Sequence, residues 1–350
     1  MRPLERLLVE HIAAHGPIGF DEFQANALYA PGQGFYVAGG GAGRRRDFLT
    51  SPEVGPLFGA VLARALDAWW DELGRPERLH VIDAGAGPGG LARSLLAASP
   101  ESGTALHLTL VEVGEAQWAL HPGGVTSRAD LPAPGELDGP VVVLANELLD
   151  NLPVALVERT DDGWQEVVVG LAVDGFAFGL RPLAPEQTAW CDQRIGPVPV
   201  GAQVPVQADA AAWLREALDL LAPRGGRVVV IDYARTSQEL AALPRDAWLR
   251  TYADHGRAGG PLEEPGTCDI TCDVAIDQLA AVREPAQRRT QHDFLTAHGI
   301  DELVAEGQAV WAEQGIGGGL AAIAGQSRAI EAEALLDPDG LGGFTVLEWW

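Results

Sequence analysis

The stretch VIDAGAGPGG, residues 81 to 90, decides the fold of this chain. An apolar segment ends at Asp83 and runs into a loop rich in glycine. The next residues, LARSLLAAS at 91 to 99, have the apolar spacing of a helix. Glycine permits the unusual backbone angles of a strand-to-helix turn, and it lets the backbone approach a ligand closely. The stretch therefore predicts a strand, a ligand-binding turn and a helix.

Two interpretations of the loop fit its spacing. Gly85, Gly87 and Gly90 satisfy the G-x-G-x-x-G pattern of the dinucleotide fold, in which a helix N-terminus faces a pyrophosphate. The segment from Asp83 to Gly89 also resembles the first motif of class I S-adenosylmethionine (SAM) methyltransferases, which carries an acidic residue two positions before the first glycine. A carboxylate suits a ligand with a charged amino group and is badly placed beside a pyrophosphate. A glycine turn that binds nothing is the third alternative.

Composition limits the class of protein. The chain has 350 residues, 47% of them hydrophobic, which is enough for one large or two ordinary globular domains. The sequence has no uninterrupted apolar run of about eighteen residues, so we expect a cytoplasmic protein without a membrane partner. The net charge of −25 argues against a nucleic-acid partner. Its basic residues are all arginines, which excludes Schiff-base and P-loop lysine chemistry. The spacing of cysteines and histidines predicts no metal site.

The order of predicted elements indicates an α/β protein. Strand-like segments alternate with helices from residue 79 onward, which favours a mostly parallel sheet with helices on both faces. Asp-Gly pairs interrupt strand-like sequence between about 154 and 180, which predicts an inserted antiparallel β-ribbon. The predicted sheet strands read RLHVIDAG, ALHLTLVEV, PVVVLANELLD, RVVVIDYA and, at the C-terminus, GFTVLEWW.

The remaining segments are predicted to be mainly helical. One helix should start at Ser51, as its N-cap, and end at Gly74. We expect an N-terminal helical segment over 1–75 that covers the ligand site, and a core over 76–350. Further helices are predicted near 208–222, 274–282, 292–306 and 320–334, the last three within a helical region at about 236–340.

Acidic residues follow the first predicted strands. In a doubly wound sheet, ligands bind outside the carboxyl ends of the strands. Asp83 ends the first strand, and Glu112 ends the second, where a carboxylate would hydrogen-bond the ribose hydroxyls of an adenosine. Asp130 is placed to meet the adenine edge. Each has a structural alternative, since Glu112 could be a solvated strand end and Asp130 could organise a turn.

A second polar group, Asn146, Glu147 and Asp150, follows the strand PVVVLA. These residues could cap a helix. Alternatively, their carboxylates could clamp a guanidinium through paired, charge-assisted hydrogen bonds and keep electron density on the attacking nitrogen. We therefore take the three as candidate catalytic residues for methyl transfer to arginine.

Seven segments together resemble the MidA family. In chain order they are LYAPGQGFY, RDFLTSPEVGPLFG, DAGAGPGG, ANELLDNLPV, VVVIDYA, GTCDIT and QHDFLTAHGI. The resemblance runs from about residue 4 to the C-terminus. This family has the class I SAM-methyltransferase (Rossmann-like) fold, and its mitochondrial members are protein arginine methyltransferases needed for respiratory complex I assembly. The resemblance implies SAM as cofactor and, as acceptor, an arginine of a respiratory-complex or other assembly partner. A homodimer is one candidate assembly of the protein.

The resemblance also implies a set of SAM-binding residues. They are Asp83, Gly85, Gly87, Gly89, Glu112 and Asp130, with Asp47, Thr50 and Glu53 from a segment that would fold over the site. Three positions depart from the family pattern. Arg46 stands where a glycine is usual, Ala30 replaces an aspartate, and Asp273 replaces a histidine.

Two alternatives to a protein methyltransferase are kept. One is an NAD-dependent oxidoreductase, because Glu112 could bind an NAD ribose equally well. The other is a non-catalytic assembly factor that binds SAM or merely retains the fold.

Overall fold

The computed structural model describes residues 1–40, 50–253, 256–315 and 319–350. Its helices are α1 (Pro3–His15), α2 (Phe20–Tyr29), α3 (Ser51–Val54), α4 (Pro56–Glu72), α5 (Gly90–Ala98), α6 (Glu115–Trp118), α7 (Pro185–Arg194), α8 (Ala208–Leu221), α9 (Ser237–Ala241), α10 (Arg245–Trp248), α11 (Ile276–Ala280), α12 (Gln291–Ala297), α13 (Ile300–Gln314) and α14 (Gly319–Leu336). None of these helices is long and apolar enough to cross a membrane.

The strands form two larger and two smaller sheets. They are β1 (Ile18–Gly19), β2 (Leu79–Ala84), β3 (Leu106–Val111), β4 (Thr126–Arg128), β5 (Val141–Asn146), β6 (Ala155–Thr160), β7 (Gly163–Ala172), β8 (Gly175–Pro182), β9 (Gln203–Val206), β10 (Gly226–Asp232), β11 (Ala234–Arg235), β12 (Leu249–Ala253), β13 (Gly256–Arg257), β14 (Asp269–Cys272), β15 (Val274–Ala275), β16 (Gln287–Thr290) and β17 (Thr345–Trp349).

The main sheet has seven strands in the order β16-β17-β10-β5-β2-β3-β4. The five strands from β10 to β4 are parallel to their neighbours, whereas β17 and β16 run antiparallel. This confirms the predicted α/β fold and all five predicted sheet strands. Because β2, β3, β5 and β10 are parallel, their carboxyl ends lie at the same edge of the sheet.

Helices cover both faces of the main sheet, as predicted. Successive strand residues point to opposite faces, so Val81 and Val142 pack with α4 and α5 on one side. Their neighbours Ile82 and Val143 pack with α8 on the other side. Each fully buried aliphatic side chain of this kind contributes about 1.5–3 kcal/mol to stability. The two apolar layers therefore fix the sheet between its helices.

The predicted ribbon is antiparallel, as expected from its Asp-Gly turns, and it consists of β6, β7 and β8. It belongs to a second, five-stranded sheet, which β1 and β9 complete. The apolar side of this sheet packs against α1 and α2 through residues such as Leu8, Phe20 and Phe23. These long-range pairings join the chain's N-terminus to the ribbon.

Two predicted helices were wrong in extent. The helix expected from Ser51 to Gly74 is divided into α3 and α4, because Gly55 precedes Pro56 and a residue before proline is disfavoured in helical conformation. Thr50, rather than Ser51, occupies the N-cap position. The helix expected at 292–306 is divided into α12 and α13 at Gly299, which has φ +85°.

The segment at 236–340 also contains short strands. Strands β12, β13 and β14 form a three-stranded antiparallel sheet, and β11 pairs with β15. These strands were not predicted, because they are short and lie among residues typical of turns. The division of the chain into 1–75 and 76–350 stays a prediction.

Candidate functional site

A cavity of about 460 Å³ opens at the carboxyl edge of the main sheet. This volume lies within the range of about 300–1,000 Å³ that is usual for small-molecule sites. The predicted site residues that line the cavity are Thr50, Glu53, Asp83, Gly85, Gly87, Glu112, Asp130, Asn146 and Glu147. Gly89 and Asp150 are not among the lining residues. Asp47 lies outside the described residues.

The glycine loop follows β2 with left-handed backbone angles at alternate positions. Gly85, Gly87 and Gly89 have φ values of +74°, +50° and +77°, where a side chain would be strained. A Cβ atom at Gly87 would meet no atom of the described residues within 4 Å, so with respect to them the backbone there is open to a ligand. Gly89 instead packs against Leu110 and Pro122 and forms the N-cap of α5. Gly89 therefore shapes the loop from behind.

Asp83 is a buried carboxylate at the base of this loop. It is 5% exposed, and its Oδ2 atom has no hydrogen-bond partner within the described residues. Burial, reinforced by the nearby Glu112, raises the pKa of Asp83 to about 7. A buried polar atom without a partner is costly, and a cationic ligand group in the cavity would supply one. Asp83 therefore fits the ammonium group of an amino-acid ligand.

Glu112 lies between the glycine loop and the turn after β3. Its Oε2 atom accepts a hydrogen bond from the Gly87 amide at 2.9 Å, and Oε1 accepts one from the Gly114 amide at 2.7 Å. Burial raises the pKa of Glu112 despite these two bonds. Each carboxylate oxygen keeps a second lone pair for a hydroxyl donor. The side chain is thus oriented before any ligand arrives.

His121 supports the same loop from below. One ring nitrogen lies 2.9 Å from the Gly87 carbonyl oxygen, and the other lies 2.7 Å from the Ser127 hydroxyl. The spacing of the histidines in the sequence predicts no metal site, and it does not predict this contact. The two partners of His121 lie in the glycine loop and in β4, so no local motif contains all three residues.

Glu147 follows β5 and borders the cavity. It has φ +51°, a left-handed conformation that costs a non-glycine residue on the order of 1–3 kcal/mol. Its amide donates to the Ile231 carbonyl at 2.9 Å, which holds this conformation. Its Oε1 atom accepts from the Asn146 amide group at 3.1 Å and from the Ser51 backbone amide at 3.3 Å. Burial, and then repulsion by Asp150, raises the pKa of Glu147 to about 8.

Asp150 lies behind the cavity wall. It is 3% exposed, and burial together with Asp232 and Asp269 raises its pKa well above the usual range. Its neighbour Arg250 forms an ion pair with Asp273 at 2.6 Å. The structure therefore brings Asn146 and Glu147 to the cavity but places Asp150 in a buried polar cluster. Asp273, one of the departures from the family pattern, serves that cluster.

Two tyrosines that the sequence analysis did not single out also line the cavity. Tyr29 and Tyr36 stack with ring centroids 5.7 Å apart. The Tyr29 hydroxyl donates to the Asn151 carbonyl at 3.0 Å, and the Tyr36 hydroxyl donates to Asp269 at 2.9 Å. Both belong to the segment LYAPGQGFY, but their partners are more than a hundred positions away in sequence. Only the fold reveals their place.

The arrangement is suited to a cationic ligand with an adenosine-like body. Carboxylate side chains line this cavity, whereas most of its remaining wall is apolar. Among the described residues they are Glu53, Asp83, Glu112, Asp130, Glu147 and Glu216. Among the described residues there is no group of three or more metal-binding side chains that could hold a metal ion. The site therefore offers carboxylates, backbone groups and aromatic rings for binding.

Comparisons of the sequence with known proteins also indicate a methyltransferase that uses SAM. The family model described as "Putative S-adenosyl-L-methionine-dependent methyltransferase" matches residues 61–294. The chain is 28% identical to the mouse mitochondrial protein arginine methyltransferase NDUFAF7, over 85% of this chain and 74% of that protein. It is also 28% identical to the human protein of that name, with the same coverage.

A solved structure is similar over nearly the whole chain. It is a Burkholderia thailandensis protein crystallised with S-adenosyl-homocysteine, with a TM-score of 0.81 and 29% sequence identity. The alignment covers 99% of this chain and 91% of that one. The residues that the family model matches include most strands of the main sheet. The resemblance to the family that the sequence predicted is confirmed. The chain belongs to the MidA family of SAM-dependent methyltransferases.

Proposed function

We propose that this protein methylates an arginine side chain of a protein acceptor. The mouse and human relatives carry the name of protein arginine methyltransferases, which supports this acceptor class. The observation that carries the proposal is Glu147, a strained and largely buried carboxylate on the cavity wall. A guanidinium is the protein group that best matches such a carboxylate, because it stays charged and donates in a planar fork.

The donor half of the cavity fits SAM. In this proposal Asp83 binds the ammonium group, the Gly85 to Gly87 backbone lies against the methionine part, and Glu112 accepts from the ribose hydroxyls. Asp130, whose side chain is 82% exposed, lies at the rim, where the adenine edge would reach it. Thr50 and Glu53 form the wall over the site. The proposed contact of Asp47 stays a prediction.

SAM supplies an electrophilic methyl group on a positively charged sulfur. Attack by an arginine nitrogen forms the new N–C bond while the S–C bond breaks, and its electron pair stays on sulfur. The acceptor nitrogen then releases a proton. Alignment and exclusion of water from the cavity account for most of the acceleration, and no covalent enzyme intermediate is needed.

Glu147 is the residue proposed to orient the acceptor. Its carboxylate would hold the guanidinium with one nitrogen directed at the methyl group, and it could receive the released proton. A pKa of about 8 in the free protein is close to working pH, as is favourable for a general base. An incoming guanidinium would lower that pKa and keep the side chain ionised during binding. Asp150 would contribute through its charge on Glu147 rather than by contact.

The proposal is tested by finding the acceptor. Purified protein is incubated with methyl-labelled SAM and a lysate from a strain that lacks this protein, and the labelled product is identified by mass spectrometry. We expect label on arginine of one or a few proteins. Label on another residue type or on a small molecule would refute the arginine assignment. Binding of SAM without labelling would favour a non-catalytic assembly factor.

A matched pair of variants then tests Glu147. Glu147→Gln keeps the shape of the side chain but removes its charge, so we expect turnover to fall roughly 10²-fold or more. Glu136→Gln is the control, because Glu136 is exposed and does not line the cavity. Unchanged methylation by Glu147→Gln would remove the orienting role.

A further inference from the structure

The cavity wall formed by α3 has a buried side that faces away from the ligand site. Thr50, Pro52 and Glu53 line the cavity, whereas Ser51 is 0% exposed and does not. The Ser51 hydroxyl donates to Gln291 Oε1 at 2.9 Å. The Ser51 backbone amide donates to Glu147 Oε1 at 3.3 Å. Ser51 therefore connects a residue outside the cavity to the carboxylate inside it.

Gln291 is held in one orientation by its surroundings. It is the first residue of α12 and is 0% exposed. Its side-chain Nε2 donates to the Leu335 carbonyl at 3.1 Å, near the end of α14, and its backbone amide donates to the Phe344 carbonyl at 2.8 Å. A flipped side-chain amide would set two carbonyl oxygens against each other at Leu335. The oxygen of Gln291 is thus fixed toward Ser51.

The other end of the same wall is also held from α14. Glu331 is 5% exposed, and its Oε2 atom accepts from the Leu57 amide at 2.9 Å at the start of α4. Ser327 donates to the second oxygen of Glu331 at 2.8 Å. A side chain at Gly55 would overlap the Glu331 carboxylate, so the break between α3 and α4 is fitted around it. The C-terminal helices thus hold both ends of the wall.

We propose that Gln291 is a positioning residue that acts through Ser51 on Glu147. The inference rests on the proposed function, which gives Glu147 its orienting role. Through Gln291, α12 and α14 set the position of the Ser51 amide. This amide, together with the Asn146 side chain, sets the direction and the ionisation of the Glu147 carboxylate. Gln291 begins the segment QHDFLTAHGI but does not line the cavity.

Loss of the Gln291 contact should change the pKa of Glu147. The Ser51 hydrogen bond favours the charged form of Glu147 and so lowers its pKa against the effect of burial. Without the Gln291 anchor, the start of α3 is held less firmly against α12, so this hydrogen bond from the Ser51 backbone amide weakens. A hydrogen bond to a charged group contributes about 1.5 kcal/mol or more, which corresponds to about one pH unit when it is lost completely.

The test measures binding of SAM by calorimetry between about pH 6 and about pH 9. SAM carries a positive sulfonium, so its affinity should rise with pH as Glu147 ionises. Asp83, with a pKa of about 7, should give a step of its own in the same range, and Asp150, Asp232 and Asp269 are the other carboxyl groups that face Glu147. Glu147→Gln should remove the step near pH 8 and leave that of Asp83 in place. Gln291→Met and Ser51→Ala should each move the step upward by about half to one pH unit. The double variant should move it no further, because both changes break the same connection.

Gln278→Met is the matched control. Gln278 is also a buried glutamine with several hydrogen bonds, to Pro205, Ser237 and Gln207, and none of these residues lines the cavity. It should lose stability in thermal unfolding yet keep the pH step of the unaltered protein. If Gln291→Met fails to fold, Ser51→Ala tests the same hydrogen bond with a smaller change.

Two outcomes separate the inference from its basis. If Glu147→Gln removes the pH step but Gln291→Met and Ser51→Ala leave it in place, Gln291 has no positioning role. If Glu147→Gln leaves the step near pH 8 in place, Glu147 is not the group that titrates there and the inference is wrong, whereas the orienting role of Glu147 is decided by the turnover of the same variant.

Discussion

Replacement of Asp83 by asparagine should stabilise the free protein while weakening its binding of SAM. The two effects have opposite signs because the same carboxylate is costly when the cavity is empty and useful when it holds a cation. Asp83 is 5% exposed, and its pKa is raised from 3.8 to about 7. Asparagine has nearly the same shape and cannot ionise.

The change in the free energy of unfolding follows from the pKa of Asp83. A shift of about three units corresponds to about 4 kcal/mol of unfavourable free energy for the ionised group in the folded protein. Asparagine would remove this unfavourable free energy, but a buried asparagine amide that lacks some of its hydrogen-bond partners itself costs about 1–3 kcal/mol. We therefore expect Asp83→Asn to raise the free energy of unfolding at pH 8 by about 1–3 kcal/mol.

The sign of the pH dependence follows from linkage. The unfolded chain releases the Asp83 proton near pH 4, whereas the folded protein keeps it until about pH 7. The folded state binds more protons across that window, so the contribution of Asp83 to stability falls as pH rises from about 4 to about 7. The advantage of the variant should accordingly be full above about pH 7 and shrink toward about pH 4.

The binding change has a different origin. A hydrogen bond between a carboxylate and an ammonium group contributes about 1.5–3 kcal/mol, so SAM affinity should fall roughly 10- to 150-fold. S-adenosylhomocysteine carries the same ammonium group and should lose as much. Calorimetry measures both affinities, and denaturant unfolding without ligand measures stability. The exposed Asp161 provides the control Asp161→Asn.

The result that would refute this reasoning is a variant that is less stable than the original at pH 8 and binds SAM equally well. Asp83 would then be a structural carboxylate with unseen partners. A loss of affinity for SAM alone, with S-adenosylhomocysteine unaffected, would place Asp83 near the sulfonium instead of the ammonium group.

Three further predictions concern the loop and the core. Gly87→Ala should fold but cost about 1–2 kcal/mol of stability at φ +50°, and its methyl group would enter the open space where the ligand is expected, so calorimetry should show weaker SAM binding. His121→Ala removes the contact with the Gly87 carbonyl and should raise the Kd for SAM several-fold, which corresponds to about 1 kcal/mol. Most of this increase in Kd should come from a faster dissociation of SAM, measured by stopped-flow fluorescence. Phe58→Ala, at a fully buried position of α4, should lower the free energy of unfolding by about 3–5 kcal/mol in denaturant titration, whereas a loss under about 1 kcal/mol would contradict the packing described.

The elements with strong local signals were predicted well. β2, β3, β5 and β10 are short apolar runs at regular spacing, and α5 and α8 have clear helical periodicity. The breaks at Gly55 and Gly299 were missed, because an apolar helical period continues across both. The breaks have local causes, a glycine before proline at Gly55 and a left-handed glycine at Gly299. At Gly55 the Glu331 carboxylate also occupies the space that a side chain would need.

The candidate site was predictable to the extent that it follows the ends of parallel strands. Asp83 lies near the carboxyl end of β2, and Glu112 and Glu147 come directly after β3 and β5. Parallel strands bring their carboxyl ends to one edge whatever their spacing in sequence. Asp150 also follows β5 in the sequence, and on that ground it was predicted to lie in the site. The turn Leu149–Asn151 instead directs its side chain into a buried cluster with Asp232 and Asp269. Spacing alone does not reveal which way a turn presents its side chains.

The sequence by itself determined the five strands β2, β3, β5, β10 and β17 of the main sheet, the glycine loop after β2 and the family to which the chain belongs, because these depend on local periodicity, backbone freedom at glycine and ordered motifs. Only the tertiary structure decided which polar groups share the cavity and which support it from behind. Tyr36, Ser51 and Gln291 meet their partners across more than ninety positions of sequence. Such contacts exist only once the sheet and its helices have packed, since burial and hydrogen-bond geometry depend on distances in space.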